Sequence, residues 1–230
     1  MLSMLIWSLW MVFAYLLGSV SFALMLGRIK GLDIRTFGSG NVGATNLGRA
    51  LGGGWFIACT LLDMGKGLIP VVGYRVSLFA MGVPVDTSLD MLLWLAIGVT
   101  AVVGHVLPVF LKFKGGKGVA TSAGALFGFW PVLTVPAVGA FVIWLIVTKA
   151  TAYIGLASVA AAAALPILTL VFGLSMGYAP GIVGVTSGVS TLLALMVIVR
   201  HRSNITRLRA GTEAKVQWGE AKHAPDASHE

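Results

Sequence analysis

Acidic side chains are scarce in this chain. Eight Asp and Glu stand among 230 residues, against sixteen Lys and Arg, and charged residues together make up 10%. A water-soluble domain carries about 25% charged residues, so this chain is too poor in charge to cover a globular surface in water. Cysteine is reduced to Cys59, which lies in an apolar run. That excludes an internal disulfide and gives Cys59 the place of a small buried hydrophobe. There is no carboxylate cluster and no His-x-His arrangement. No metal site and no covalent thiol mechanism are therefore expected, and no cofactor is required.

What the chain has in quantity is hydrocarbon: 57% of it is hydrophobic, with a mean hydropathy of +0.93. The pattern is that of an all-α polytopic membrane protein with about seven transmembrane helices, one of them short. Leu2 to Leu26 carries no charge and no Lys or Arg precedes it, so it is expected to be a retained span rather than a cleaved signal. Further spans are expected near 55–79, 89–111, 152–172 and 180–199. Between 118 and 148 the apolar run is too long for one helix and too short for two full spans, and Pro131 and Pro136 interrupt it. Proline breaks a helix and opens the next. A short helix over 118–129 and a span over 131–148 follow from that. Residues 1–214 make one membrane domain; 215–230 make a polar tail whose end, from Glu220, lacks apolar periodicity and is expected to be disordered.

The basic residues are not spread evenly. With seven crossings, fourteen of the sixteen Lys and Arg fall on one side. The positive-inside rule puts that side in the cytoplasm, with the N-terminus outside. In a soluble protein the same excess would suggest nucleic acid; here anionic lipid headgroups and anionic substrates explain it better, and no nucleic-acid partner is expected.

Three polar blocks share the basic side. The first runs from Gly38 to Arg49: Gly38, Gly40 and Gly43 let backbone approach a ligand, Ser39, Asn41, Thr45 and Asn46 add short hydrogen-bonding groups, and Arg49 adds a forked cation. The second, Lys114-Gly115-Gly116-Lys117-Gly118, precedes the short helix, where amides and lysines favour an anion. It is not a nucleotide P-loop, because Leu111 stands where the first glycine belongs and Gly118 where Ser or Thr belongs. In the third, His201, Asn204 and Arg207 are spaced to share one helical face. Within the spans, Asp63 and Lys66 face the same way and are expected to pair, His105 is expected to be hydrogen-bonded between helices, and Glu213 is expected to anchor the basic segment.

Those blocks, with Asp63-Met-Gly-Lys66-Gly67, resemble the bacterial acyl-phosphate:glycerol-3-phosphate acyltransferase family over about residues 4 to 214. The resemblance implies seven membrane helices in the bacterial cytoplasmic membrane and a site on the cytoplasmic side. It implies transfer of a fatty acyl group from acyl phosphate to the first hydroxyl of glycerol-3-phosphate, giving lysophosphatidic acid and inorganic phosphate. The partners it implies are those two substrates and the surrounding lipids. Carried over by position, Ser39, Arg49, Lys117, His201 and Asn204 are catalytic; the remaining named loop residues bind phosphate; Asp63, Lys66, His105 and Glu213 support them. Acyl phosphate is a mixed anhydride with a good leaving group, so direct attack without an acyl-enzyme suffices. Either His201 or a substrate phosphate oxygen takes the hydroxyl proton.

Two other classes compete: an anion or phospholipid transporter using Asp63, Lys66 and His105 as a relay, and a structural protein whose basic loops hold anionic lipid. Against the first, the motif loops lie on one face and no inverted repeat is apparent; the second leaves the Ser, Asn, Thr and Gly spacing unexplained. The charge asymmetry makes a direct prediction: a reporter fused to the N-terminus reads the outer side. A cytoplasmic N-terminal reporter would overturn the orientation.

Overall fold

The structure, a computed structural model, describes residues 2–216. The expected disorder from Glu220 onward falls outside them. The described residues form ten α-helices in the order α1 (Leu2–Ser19), α2 (Phe22–Ile29), α3 (Ala44–Leu51), α4 (Gly53–Ala80), α5 (Ser88–Val106), α6 (Val119–Gly128), α7 (Thr134–Thr151), α8 (Ile154–Ser175), α9 (Pro180–Arg200) and α10 (Arg202–Arg209). Six segments are long and apolar enough to cross a bilayer, and α6 is the shorter apolar helix. At 1.5 Å per residue α6 covers roughly 15 Å, about half a hydrocarbon core. It must therefore be enclosed by neighbours, and it packs between α4, α5 and α7.

Local chemistry sets several boundaries. Thr87 caps α5, its Oγ1 accepting from the Asp90 N–H (3.1 Å) while Asp90 Oδ2 accepts from the Thr87 N–H (3.2 Å). Such a reciprocal box satisfies two orphan amides. Pro180 opens α9, where its missing N–H costs nothing. The first span departs from expectation, being two helices rather than one. It breaks at Val20, and Ser21 caps α2 by accepting from the Leu24 N–H. No proline forces this break. Its cause lies in α4: the Val20 carbonyl, freed from the helical ladder, accepts from Lys66 Nζ at 2.7 Å.

Outward-facing Leu9, Phe79, Ile146, Ile167 and Leu195 are each more than half exposed, an apolar exterior that only lipid satisfies. The interior is organised on α5. Trp94 packs edge-on against Phe129 (4.9 Å between centroids), and its indole N–H donates to the Val71 carbonyl (3.0 Å). Helix contacts depend on absent side chains. A Cβ on Gly124 would strike the Met64 carbonyl, and one on Gly67 would strike the Thr121 carbonyl, so α4 and α6 touch backbone to backbone at two reciprocal points. Gly18 and Gly104 do the same for α1 and α5. With no hydrophobic force between helices in lipid, close packing of this kind replaces it.

Gly124→Leu is expected to destabilise the fold by about 1–3 kcal/mol, read as a lower melting temperature in detergent. Gly184→Leu, placed where nothing lies within 4 Å, should leave it unchanged. Equal melting curves for the two variants would refute the α4–α6 contact.

Candidate active site

The three polar blocks meet around one cavity of about 540 Å³. The first block is held from within. Asn46 is buried; its Nδ2 donates to the carbonyls of Ile34 (3.0 Å) and Phe37 (2.9 Å), and its Oδ1 accepts from the Ser39 N–H (3.1 Å). Both amide hydrogens are therefore spent on the loop. Gly38, at φ +56°, passes so close to Asn46 Oδ1 that a side chain there would collide. The block presents Ser39, Asn41, Gly43, Ala44, Thr45 and Asn46 to the cavity, with Ser39 Oγ accepting from the Asn41 N–H. Gly38 and Gly40 shape the loop from behind.

Helix α3 begins at this loop without a side-chain cap, and Gly43 to Thr45 line the cavity. Helix α6 also begins uncapped, after Gly118 at φ +83°, with Val119 and Ala120 on the cavity wall. Uncapped helical amides are donors awaiting an acceptor, and the helix dipole favours that acceptor being anionic.

Side chains from the first and third blocks then converge on Glu213. Its Oε1 accepts from Asn204 Nδ2 (2.7 Å), its Oε2 accepts from Arg207 Nε (2.6 Å), and Arg49 Nη2 stands 3.8 Å from Oε1. Arg49 also donates to the Ala214 carbonyl (3.1 Å), while its Nε is buried without a hydrogen-bond partner among the described residues. Lys117 Nζ donates to Asn204 Oδ1. Arg49, Lys117 and Arg207 against the carboxylates of Glu213 and Asp63 leave the cavity lining one positive charge in excess. Burial is the main cause that lowers the Lys117 pKa to about 8; Glu213 opposes it, and Arg207, Arg49 and Arg200 add to it. Burial lowers the Arg49 pKa too, against the pull of Glu213.

His201 sits at the joint between α9 and α10, with Asn204 and Arg207 following on α10. Its Nδ1 is 2.8 Å from the Val197 carbonyl, which can only accept, so Nδ1 carries the proton and Nε2 keeps a lone pair. Burial, reinforced by Lys117, lowers its pKa to about 4, so the ring is neutral at physiological pH. Away from these groups the cavity becomes apolar, bounded by Phe56 and Leu61 of α4, Leu126 of α6, Trp144 of α7, Leu165 of α8 and Leu193 of α9.

Not every block residue reaches the cavity. Lys114 is exposed and does not line it, and Gly115 and Gly116 lie beside it. Those two glycines are held by Arg200, whose Nη2 donates to both carbonyls (3.0 and 3.1 Å). Asp63 and Lys66 pair as expected (2.8 Å), and Lys66 also reaches His105 Nδ1 (2.9 Å). Sequence reasoning gave no role to Arg200 or to Ser122. The latter lines the cavity one turn into α6 with its hydroxyl unpaired among the described residues. Its signal was only position, four residues after Gly118. No group of three or more potential metal-binding side chains occurs among the described residues.

The same architecture occurs in proteins of known activity. Residues 8–211 match the Glycerol-3-phosphate acyltransferase family. The Glycerol-3-phosphate acyltransferase of Geobacter sulfurreducens is 43% identical over 201 residues, covering 87% of this chain and 92% of that protein. The Aquifex aeolicus protein of the same name is 37% identical, covering 88% and 95%. A crystal structure of PlsY, an integral membrane glycerol 3-phosphate acyltransferase, in its glycerol 3-phosphate form superposes with a TM-score of 0.74 at 36% identity, covering 92% of this chain and 96% of that one. Its lysophosphatidic acid form gives 0.72 at 35%, with the same coverage. A transporter or a purely structural membrane protein is thereby set aside: the chain belongs to the integral membrane glycerol-3-phosphate acyltransferase family.

Proposed function

We propose that the chain transfers a fatty acyl group from acyl phosphate to the first hydroxyl of glycerol-3-phosphate, releasing lysophosphatidic acid and inorganic phosphate. One observation carries the proposal: a single cavity is net positive and lined with unspent amides at one end and lined with hydrocarbon at the other. Both substrates carry phosphate, and only the donor carries a long apolar chain. The related crystal structures described as glycerol 3-phosphate and lysophosphatidic acid forms supply an acceptor and a product of that description. The polar end is assigned to the cytoplasmic face of a bacterial inner membrane, where water-soluble glycerol-3-phosphate is made available.

The step is a direct substitution. The glycerol oxygen forms a bond to the acyl carbon, the carbon–oxygen bond to phosphate breaks, and the hydroxyl proton leaves with the phosphate. Arg49 and Lys117 hold phosphate and, with the amides of the first turns of α3 and α6, stabilise the developing carbonyl oxyanion. Asn204 orients the Lys117 ammonium. Ser39 and Thr45 add neutral hydrogen bonds. His201 accepts the reacting hydroxyl at Nε2 and orients it. A ring whose pKa is about 4 is too weak a base to retain that proton at neutral pH. A phosphate oxygen, with a second pKa of about 6, is the better final acceptor. Ser39 Oγ is engaged with the Asn41 N–H, which favours a binding role for it over that of an acyl-carrying nucleophile.

Donor identity is checked with the purified chain in lipid nanodiscs, comparing palmitoyl phosphate with palmitoyl-CoA and palmitoyl acyl carrier protein. Phosphate release and lysophosphatidic acid should appear with the first alone. Turnover of a thioester instead would reassign the donor, and turnover of none would remove the reaction.

The pH response follows from Lys117. Its ammonium is charged below about 8 and neutral above, so the cavity loses one positive charge as pH rises through that value. The apparent KM for glycerol-3-phosphate should be level from pH 7 to 7.5 and climb between pH 8 and 9, by up to about tenfold per unit. Lys117→Arg, whose charge persists, should keep KM level over that range whatever it does to kcat. A wild-type profile level to pH 9 would count against Lys117 as a phosphate group.

A further inference from the structure

One charged cluster takes no part in the transfer just described. Asp63 and Lys66 of α4 and His105 of α5 are all buried within the spans. Lys66 Nζ donates to the Val20 carbonyl at the α1–α2 break (2.7 Å), is hydrogen-bonded to His105 Nδ1 (2.9 Å) and forms an ion pair with Asp63 Oδ1 (2.8 Å). Because an ammonium only donates, Nδ1 accepts, and the imidazole proton resides on Nε2. The ring is thereby fixed in both orientation and tautomer.

The second phosphate loop is laid on that ring. The Gly116 N–H donates to the His105 carbonyl (3.1 Å), and a Cβ on Gly116 would strike His105 Nε2. Gly115 is pressed as closely against the His105 carbonyl and Pro108. From the other side Arg200 clamps both glycine carbonyls. Lys117 is the next residue. Its ammonium therefore starts from a backbone held between His105 below and Arg200 above.

We propose that Asp63, Lys66 and His105 are positioning residues that place the Lys117 ammonium in the transfer site through the Gly115–Gly116 backbone. The inference rests on the assignment of Lys117 to phosphate. Fold stability alone does not account for such a cluster, because a buried ion pair is often replaced by apolar groups of equal volume without loss. Placement does account for it: a displacement of about 1 Å at a reacting group can cost about 100-fold in rate. The small glycines give the loop no side chains of its own with which to hold its height.

The test is a double-mutant cycle on the full chain in nanodiscs, read as KM for glycerol-3-phosphate. His105→Leu is expected to raise KM on the order of tenfold, yet by less than about twofold when Lys117 is already Ala, because coupled sites are not additive. His105→Asn, whose Oδ1 falls near the Nδ1 position and can accept from Lys66, should bring KM back to within about threefold of wild type. If the effects of His105→Leu and Lys117→Ala multiply, the positioning role is overturned while the phosphate assignment survives. If Lys117→Ala alone leaves KM unchanged, the phosphate assignment falls and the inference with it. Should His105→Leu fail to fold, the neutral pair Asp63→Asn/Lys66→Met enters the same cycle. Failure of that pair to fold as well would mark the cluster as a folding element and overturn the proposal.

Discussion

The site depends on one carboxylate. Glu213 is buried where the first and third blocks meet, and it draws on Asn204, Arg207 and Arg49 together. Without it, Arg49, Lys117 and Arg207 would face one another around one cavity, and like charges in a partly buried setting repel. With it, the cations are held close and still outnumber the anion. A group so placed is costly to lose: removing one partner of a buried pair costs about 3–5 kcal/mol. Glu213 makes a converging set of cations compatible with folding while leaving their excess for a ligand.

The bilayer supplies the second constraint. Backbone that is not helical is tolerated at membrane depth only when protein encloses it. The first two polar loops accordingly end on helix starts, those of α3 and α6, whose first residues line the cavity. The half-length helix α6 follows from the same requirement. Its amino end sits well inside the protein, where its dipole meets the substrate region, and α4 supports it through contacts that only glycine at 67 and 124 permits. The acyl chain can then stay among hydrocarbon groups while its reactive carbonyl reaches the polar end.

The spans were legible in the sequence because hydropathy is a local property. Pro180 opens its helix where expected, and the division of 118–148 into a short and a full helix holds, as α6 and α7. The three blocks were legible because small polar residues are conspicuous in a chain this apolar. What escaped depends on contacts across the chain. The break after α1 has no helix breaker of its own; it answers to a lysine in α4, 46 residues later. Arg200 resembles any basic residue at a membrane edge until the fold brings Gly115 and Gly116 to it across 84 residues or more. Asn46 lines the cavity, yet its amide hydrogens go to Ile34 and Phe37. Residue type alone did not separate donors that meet a ligand from donors that build the loop.

That separation comes from which donors are already spent. Lys66 has two hydrogen-bond partners, the Val20 carbonyl and His105 Nδ1, and its charge is met by Asp63 at 2.8 Å. It is buried and does not line the cavity, so its contribution is geometric. Arg49 has a buried Nε without a partner among the described residues, α3 and α6 start without caps, and the surrounding charge does not sum to zero. Buried donors left open are costly unless something fills them, and an anion fills several at once. The two clusters therefore divide the work by charge: the one in the span, where Asp63 meets Lys66, is suited to fixing position, and the one at its edge, with cations in excess, is suited to receiving phosphate.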